Sequence, residues 1–252
     1  MFIVIDIPSK WNTNISIEPR LYVTDEPERI RALSMDGHPL CPILNDNTRD
    51  MDLSAFPYLI TDPEAVDTDF YIKVWQRLAS LPWEIALTPR CRIREMTEDD
   101  VEALYRIYSD ESIVKYTEPL FPDYESEREY TRNYIRNVYS YFGFGTWIIE
   151  ELDTGDIIGR AGFNYRTDED LPDTLTFPEL GYVIGKKYQG RGYATEVCLK
   201  LIALGFEELG FDYIQALSHP DNHPSIRLLS TLGFEYCGIY GELNIYKKKA
   251  PA

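Results

Sequence analysis

The chain has 252 residues, 44% hydrophobic and 27% charged, an ordinary globular mix that excludes a disordered chain, a collagen-like fibre and a coiled coil. Against 25 Lys+Arg stand 42 Asp+Glu, a formal net charge of −17, so a nucleic acid or anionic membrane partner is not expected. A cationic partner fits better, as does a plain role in solubility.

No apolar run approaches the ~18 residues of a membrane span. The opening Met1-Phe2-Ile3-Val4-Ile5-Asp6 lacks a basic n-region and does not read as a secretion signal. Cys41, Cys91, Cys198 and Cys237 lie far apart with no Cys-x-x-Cys pair, so a reduced, cytoplasmic protein is expected. Two prolines bracket Trp83-Glu84-Ile85-Ala86-Leu87-Thr88, and a domain cut is placed near residue 88, giving units 1–88 and 89–252.

In the first unit, Leu21-Tyr22-Val23-Thr24 reads as a strand, 27–35 as a helix stopped by Gly37, and Pro42-Ile43-Leu44 and Tyr58-Leu59-Ile60 as strands. A further helix is expected over 70–81. This alternation predicts a small α/β unit with a partly parallel sheet. Asp25, just past a strand, reads as a turn or N-cap residue.

The second unit carries more signals. Cys91-Arg92-Ile93-Arg94-Glu95-Met96 alternates as a strand. Thr97-Glu98-Asp99-Asp100 and Ser126-Glu127-Arg128-Glu129 read as capping boxes that open two helices. Strands over 146–150 and 157–163 flank the turn Asp153-Thr154-Gly155-Asp156. A strand over 180–184, a glycine-bearing loop and a long helix follow. Another strand (213–217), a short helix (224–232) and two last strands (234–237 and 243–246) complete the order.

The loop Lys186-Lys187-Tyr188-Gln189-Gly190-Arg191-Gly192-Tyr193-Ala194 sits between strand and helix. Two glycines permit close backbone approach, and a helix N-terminus offers unpaired N–H donors and partial positive charge. Glycine spacing alone leaves a phosphate cradle and a merely relaxed loop equally weighted. The basic cluster in an otherwise acidic chain favours the cradle. It matches neither the Walker loop nor the dinucleotide fingerprint.

Gln189-Gly190-Arg191-Gly192-Tyr193-Ala194 resembles the acetyl-CoA signature Gln/Arg-x-x-Gly-x-Gly/Ala of the GNAT acetyltransferases. Glu179-Leu180-Gly181-Tyr182-Val183-Ile184 is similar to their fourth strand. Asn222-x-x-Ser225-x-Arg227-x-Leu229-x-x-Leu232-Gly233-Phe234 is similar to their final helix and its exit. The resemblance spans roughly residues 90 to 248 and is nearest to the ribosomal-protein N-terminal acetyltransferase (RimJ/RimL-like) branch. It implies an α/β (α+β) fold with a mixed, mostly antiparallel sheet flanked by helices. It also implies acetyl-CoA as co-substrate, with no metal, and direct attack by a primary amine. Acceptors in view are a protein N-terminus, a polyamine, an aminoglycoside or an amino-acid-like metabolite, and a homodimer stays open.

By the same resemblance, backbone amides of Gln189, Gly190, Arg191, Gly192, Tyr193 and Ala194 would hold the pyrophosphate. Tyr182, Val183 and Ile184 would pair with the pantetheine arm, and Asn222 would bond it where the sheet splays. Glu179 would be the general base. Without the resemblance, a base and a strand-edge salt bridge weigh equally for Glu179. Many family members place a tyrosine seven positions after the asparagine as the acid for the leaving thiolate. Here that position is Leu229, and Ser225 is the nearest replacement. Tyr116, Phe121 and Tyr124 fall where the family builds its acceptor wall, or pack plainly. Asp168-Glu169-Asp170 reads as a solvated loop or an electrostatic funnel.

Two other features stand aside from this reading. His219 and His223 resemble a metal pair, but Pro220 and Pro224 break any shared helical face, so surface or capping histidines are expected. The stretch from Val23-Thr24-Asp25-Glu26-Pro27 to Tyr58-Leu59-Ile60-Thr61-Asp62 loosely resembles a C-terminal part of haloacid-dehalogenase-like phosphatases. Their Asp-x-Asp nucleophile is absent, since Asp6-Ile7-Pro8 has proline at the second position. The alternative function is a non-catalytic acetyl-CoA sensor with its output in the first unit.

Overall fold

The computed structural model describes residues 1–8, 16–165 and 178–251. The acidic stretch 168–173 therefore lies outside the described residues. The chain divides into two compact units, Met1–Trp83 and Glu84–Ala252.

The first unit holds a three-stranded sheet in the order β1 (Phe2–Asp6), β2 (Arg20–Thr24), β3 (Leu40–Pro42). Strands β1 and β2 are antiparallel; β2 and β3 are parallel and joined through helix α1 (Pro27–Met35). Leu21 and Val23 alternate inward on β2 and meet Val74 and Trp75 of α2 (Thr68–Leu78), all fully buried. The Trp75 indole donates to the Glu18 carbonyl at 2.7 Å, so its one polar atom is satisfied in the core. Asp67 caps α2 by accepting from the Phe70 amide. The expected strand 58–60 is reduced to one bridge, Ile43 to Ile60, because a single residue of each segment comes into register.

The second unit is built on an eight-stranded sheet, ordered β10-β11-β9-β8-β7-β6-β5-β4. The strands are β4 (Glu84–Leu87), β5 (Cys91–Arg94), β6 (Thr146–Glu151), β7 (Ile157–Asn164), β8 (Glu179–Ile184), β9 (Tyr213–Ser218), β10 (Glu235–Tyr240) and β11 (Leu243–Lys249). The proline-flanked segment before residue 88 is thus not a linker. It pairs antiparallel with β5 as an edge strand, with both prolines outside the paired residues. That moves the division of the chain to just before Glu84.

Between β5 and β6 run α3 (Val101–Tyr108), the single turn α4 (Glu111–Val114) and α5 (Tyr124–Tyr134), which continues through a π-helical turn, Ile135–Tyr139, into α6 (Ser140–Phe142). The Thr97 capping box forms with Asp100. The Ser126 box does not open its helix: Asp123 lies three residues earlier and accepts from the Ser126 amide, so α5 starts sooner. Helix α7 (Tyr193–Glu207) covers the face of the sheet carrying Phe163, since a Cβ at Gly205 would come within 3.0 Å of that ring. On the other face, Val183 packs against Ile107, Tyr108 and Ile113 of α3 and α4. Helix α8 (His223–Thr231) joins β9 to β10.

Every neighbouring pair in this sheet is antiparallel except β8 with β9. Those two pair only at Glu179 with Gln215. From there β8 continues five residues, bonded to β7 alone, so the sheet is open between β8 and β9.

Candidate active site

The open run of β8 leads into a tight turn, Lys186–Tyr188, and then the N-terminus of α7. Gly190 (φ 73°) and Gly192 (φ 84°) are both left-handed. Gly192 is the N-cap of α7, where a side chain would be strained. A Cβ at Gly190 would meet no atom within 4 Å. The first amides of α7 have no intrahelical partner and no capping side chain. Exposed glycines before an uncapped 15-residue helix form a cradle suited to an anion.

The predicted residues divide here. Gly190, Arg191 and Gly192 are exposed at the helix mouth, and Ala194 is half-buried in the first turn. Tyr193 is turned inward, its hydroxyl donating to the Glu151 carboxylate, so only its backbone faces the cradle. The Gln189 side chain donates to the Ile184 carbonyl at 2.8 Å and closes the end of β8. Lys186 reaches towards Ser112, and Lys187 pairs with Asp156. These two lysines line a cavity of about 480 Å³ beside α3 rather than joining the glycine cradle.

Arg90 anchors this loop, and sequence reasoning missed it. Its guanidinium forms a two-pronged pair with Glu196 of α7 (2.7 and 2.6 Å), donates to the Arg191 carbonyl (3.0 Å) and lies 4.2 Å from the Tyr193 ring centre. Burial raises the Glu196 pKa, but hydrogen bonds from Thr88 and Arg90 outweigh that and hold its carboxyl below the usual range. The only sequence signal was glutamate in the first turn of a helix, which is common for dipole reasons alone.

Across the opening, Asn222 caps α8 by accepting from the Ser225 amide at 3.3 Å. Ser225 Oγ lies 2.8 Å from the Tyr182 hydroxyl. Burial pushes the Tyr182 phenol well above its ordinary value, so it stays protonated. Leu229 is fully buried in the main core. Glu179 stands at the start of β8, half-buried, opposite Asn164 of β7 and Gln215 of β9.

His223 is exposed at the start of α8, and His219 Nδ1 accepts from the Asp221 amide. Among the described residues no group of three or more His, Cys, Asp or Glu side chains could hold a metal ion. In the first unit Asp25 is not an N-cap, since Glu26 holds that position. The chain ammonium of Met1 and the Asn45 and Asn47 amides surround its carboxylate and hold its pKa at about 2.

Comparison with known proteins places this geometry. Residues 90–235 match the acetyltransferase (GNAT) domain model. The chain belongs to the GNAT family of acetyltransferases and is an N-acetyltransferase by that membership. An uncharacterized N-acetyltransferase, p20 of Bacillus licheniformis, is 32% identical over 158 residues, 62% of this chain and 85% of that protein. An acetyltransferase from Agrobacterium tumefaciens str. C58 superposes with a TM-score of 0.52 at 24% identity, covering 65% of this chain and 92% of that one. RimL, a ribosomal L7/L12 α-N-protein acetyltransferase solved with coenzyme A, superposes with a TM-score of 0.53 at 15% identity, covering 67% and 98%. Among the described residues no helix is long and apolar enough to cross a membrane.

Proposed function

We propose that this chain transfers acetyl from acetyl-CoA directly to a primary amine, with the chemistry in the second unit. The observation that carries it is the unpaired run of β8 ending at the uncapped N-terminus of α7. The backbone of residues 189–194 would take the pyrophosphate. The open edge at Tyr182, Val183 and Ile184 would pair with the pantetheine arm, and the side-chain amide of Asn222 would face the same opening. The CoA-bound RimL neighbour supports this reading of the fold. When bound, acetyl-CoA supplies an activated thioester carbonyl.

An amine at neutral pH is mostly ammonium and has no lone pair to offer. Glu179 accepts its proton, directly or through water. Ser225, hydrogen-bonded to a phenol that stays protonated, donates a hydrogen bond to the departing thiolate in place of the missing tyrosine. A protein N-terminus, as in the RimJ/RimL-like branch, and a small amine are both within this chemistry. The first unit acts as an accessory module. The sensor reading draws on Leu229, a buried leucine that has no proton to give. Amine-dependent thiol release separates the two. Release that requires an amine and falls in Glu179→Gln supports transfer. Acetyl-CoA binding without release for any amine would establish the sensor instead.

A further inference from the structure

A second polar group of side chains lies on the face of the sheet turned towards α3 and α5. Directly opposed residues of an antiparallel pair project to one face, as does every second residue along a strand. The β7–β8 register therefore sets Arg160, Gly162 and Asn164 beside Val183, Gly181 and Glu179. Arg160 Nε donates to the Tyr108 hydroxyl at 2.7 Å, with the guanidinium 4.8 Å from that ring centre. The rings of Tyr134 and Tyr130 on α5, and of Phe121 just before it, follow one another outward. At the other end Tyr134 accepts from the Thr146 amide, and Thr146 Oγ1 donates to Asn164. A Cβ at Gly181 would meet only the Asn164 side-chain nitrogen, at 3.5 Å, so the strand floor between Glu179 and Val183 is open.

Among the described residues of the second unit, Arg160 is the half-buried arginine without a carboxylate partner; Arg136, Arg191 and Arg227, which also lack one, are exposed to water. Arg90, Arg92, Arg94, Arg106, Arg128 and Arg132 each pair with a carboxylate. Half-buried Arg160 has none among the described residues, although the chain carries 42 acidic side chains. Buried Glu127 of α5 has one oxygen engaged by the Phe121 amide and forms no ion pair with Arg160. A charge removed from water is costly unless something answers it.

We infer that Arg160 binds an anionic group of the acceptor, so that the acceptor is an amine that also carries a carboxylate. This rests on the acetyltransferase reading of Glu179. Arg160 stands opposite Val183, four residues along β8 from Glu179 and so about 13 Å away along the strand, and both side chains are long. An amino acid, or a peptide N-terminus with an acidic residue near it, has its amine and carboxylate within that span. The acidity of the whole chain argued for a cationic acceptor; on this face the half-buried guanidinium offers a carboxylate contact as well.

The test uses matched probes: an amino acid and its C-terminal amide, and a tripeptide with a second-position aspartate and its asparagine counterpart. The amino-acid amide has the more readily deprotonated amine, so a preference for the free acid runs against intrinsic reactivity. The full chain is expected to favour the carboxylate member of at least one pair, and the preferred pair tells free amino acid from peptide end. Arg160→Gln lowers kcat/KM for that member about ten- to a hundredfold, the scale of a lost charge-assisted contact, and leaves the neutral member within about twofold. Arg160→Lys retains part of the preference, which a role in folding alone would not explain. Equal losses for both members, or no wild-type preference, overturn the inference. Calorimetric titration of the carboxylate probes in the presence of CoA reads the site without turnover. Carboxylate-dependent heat lost in Arg160→Gln, with no thiol release from any amine, would keep this site and overturn the transfer reading. Thiol release from neutral amines only would do the reverse.

Discussion

The 189–194 loop follows strand β8 and Arg160 sits beside that strand on β7, and the two sites proposed there would recognise by different means. The loop offers backbone N–H groups, an open strand edge and two left-handed glycines. The face around Arg160 offers side chains from β7, α3 and α5. Backbone recognition suits a group common to every turnover, because it needs geometry and tolerates many side chains. Side-chain recognition suits the variable partner, because one residue changes the chemistry of the site without disturbing the strand beneath. The difference predicts that the co-substrate and acceptor sites fail separately.

The largest expected effect is at Glu179. Glu179→Gln should lower kcat/KM by about 10²- to 10⁴-fold, the usual range for a lost general base, with acetyl-CoA affinity unchanged by calorimetry. A parallel loss of affinity would mean that the carboxylate supports the fold of the opening instead. Next comes the loop. Gly192→Val should weaken acetyl-CoA about ten- to a hundredfold and cost about 1–2 kcal/mol of stability, since a β-branched residue is strained at that backbone angle. Gly190→Val tests the cause: no protein atom would meet its Cβ, so a similar loss of stability, read without acetyl-CoA, identifies conformation rather than collision.

A smaller effect is expected at the anchor. Arg90→Ala should raise KM for acetyl-CoA about tenfold with kcat kept, and Glu196→Gln should do much the same. The double variant should be no worse than either, as for two partners of one contact. Additive losses would show that each acts alone. The lowered pKa of Glu196 gives this pair a definite pH behaviour. Its contribution is complete above the ordinary glutamate pKa and is lost only as pH falls through the depressed value. Acetyl-CoA affinity should therefore stay flat on this account from neutral into mildly acid solution. The smallest effect is at the hydroxyl pair. Ser225→Ala should lower kcat a few-fold, and Tyr182→Phe less, because the phenol only orients the serine. Unchanged turnover in Ser225→Ala would remove the hydroxyl from the mechanism.

What could be read in advance follows the spacing of contacts along the chain. Helix α7 and its loop are contiguous and punctuated by glycine, so the strand–loop–helix that carries the proposed cradle was legible from neighbouring residues. Strand β4 was not, because Pro82 and Pro89 signal a break while the four residues between them pair with β5. The start of α5 was misplaced by three residues because Asp123 and Ser126 are both plausible caps, and only packing selects between them.

The sequence by itself determined the family and most of the order of elements in the second unit, which rest on local patterns of period, turn and cap. The tertiary structure alone decided the partners that meet across the fold. Arg90 and Glu196 are 106 residues apart, Arg160 and Tyr108 are 52 apart, and Tyr182 and Ser225 are 43 apart. No short-range pattern encodes such meetings. They exist only once sheet register and helix packing have brought separate stretches of chain together.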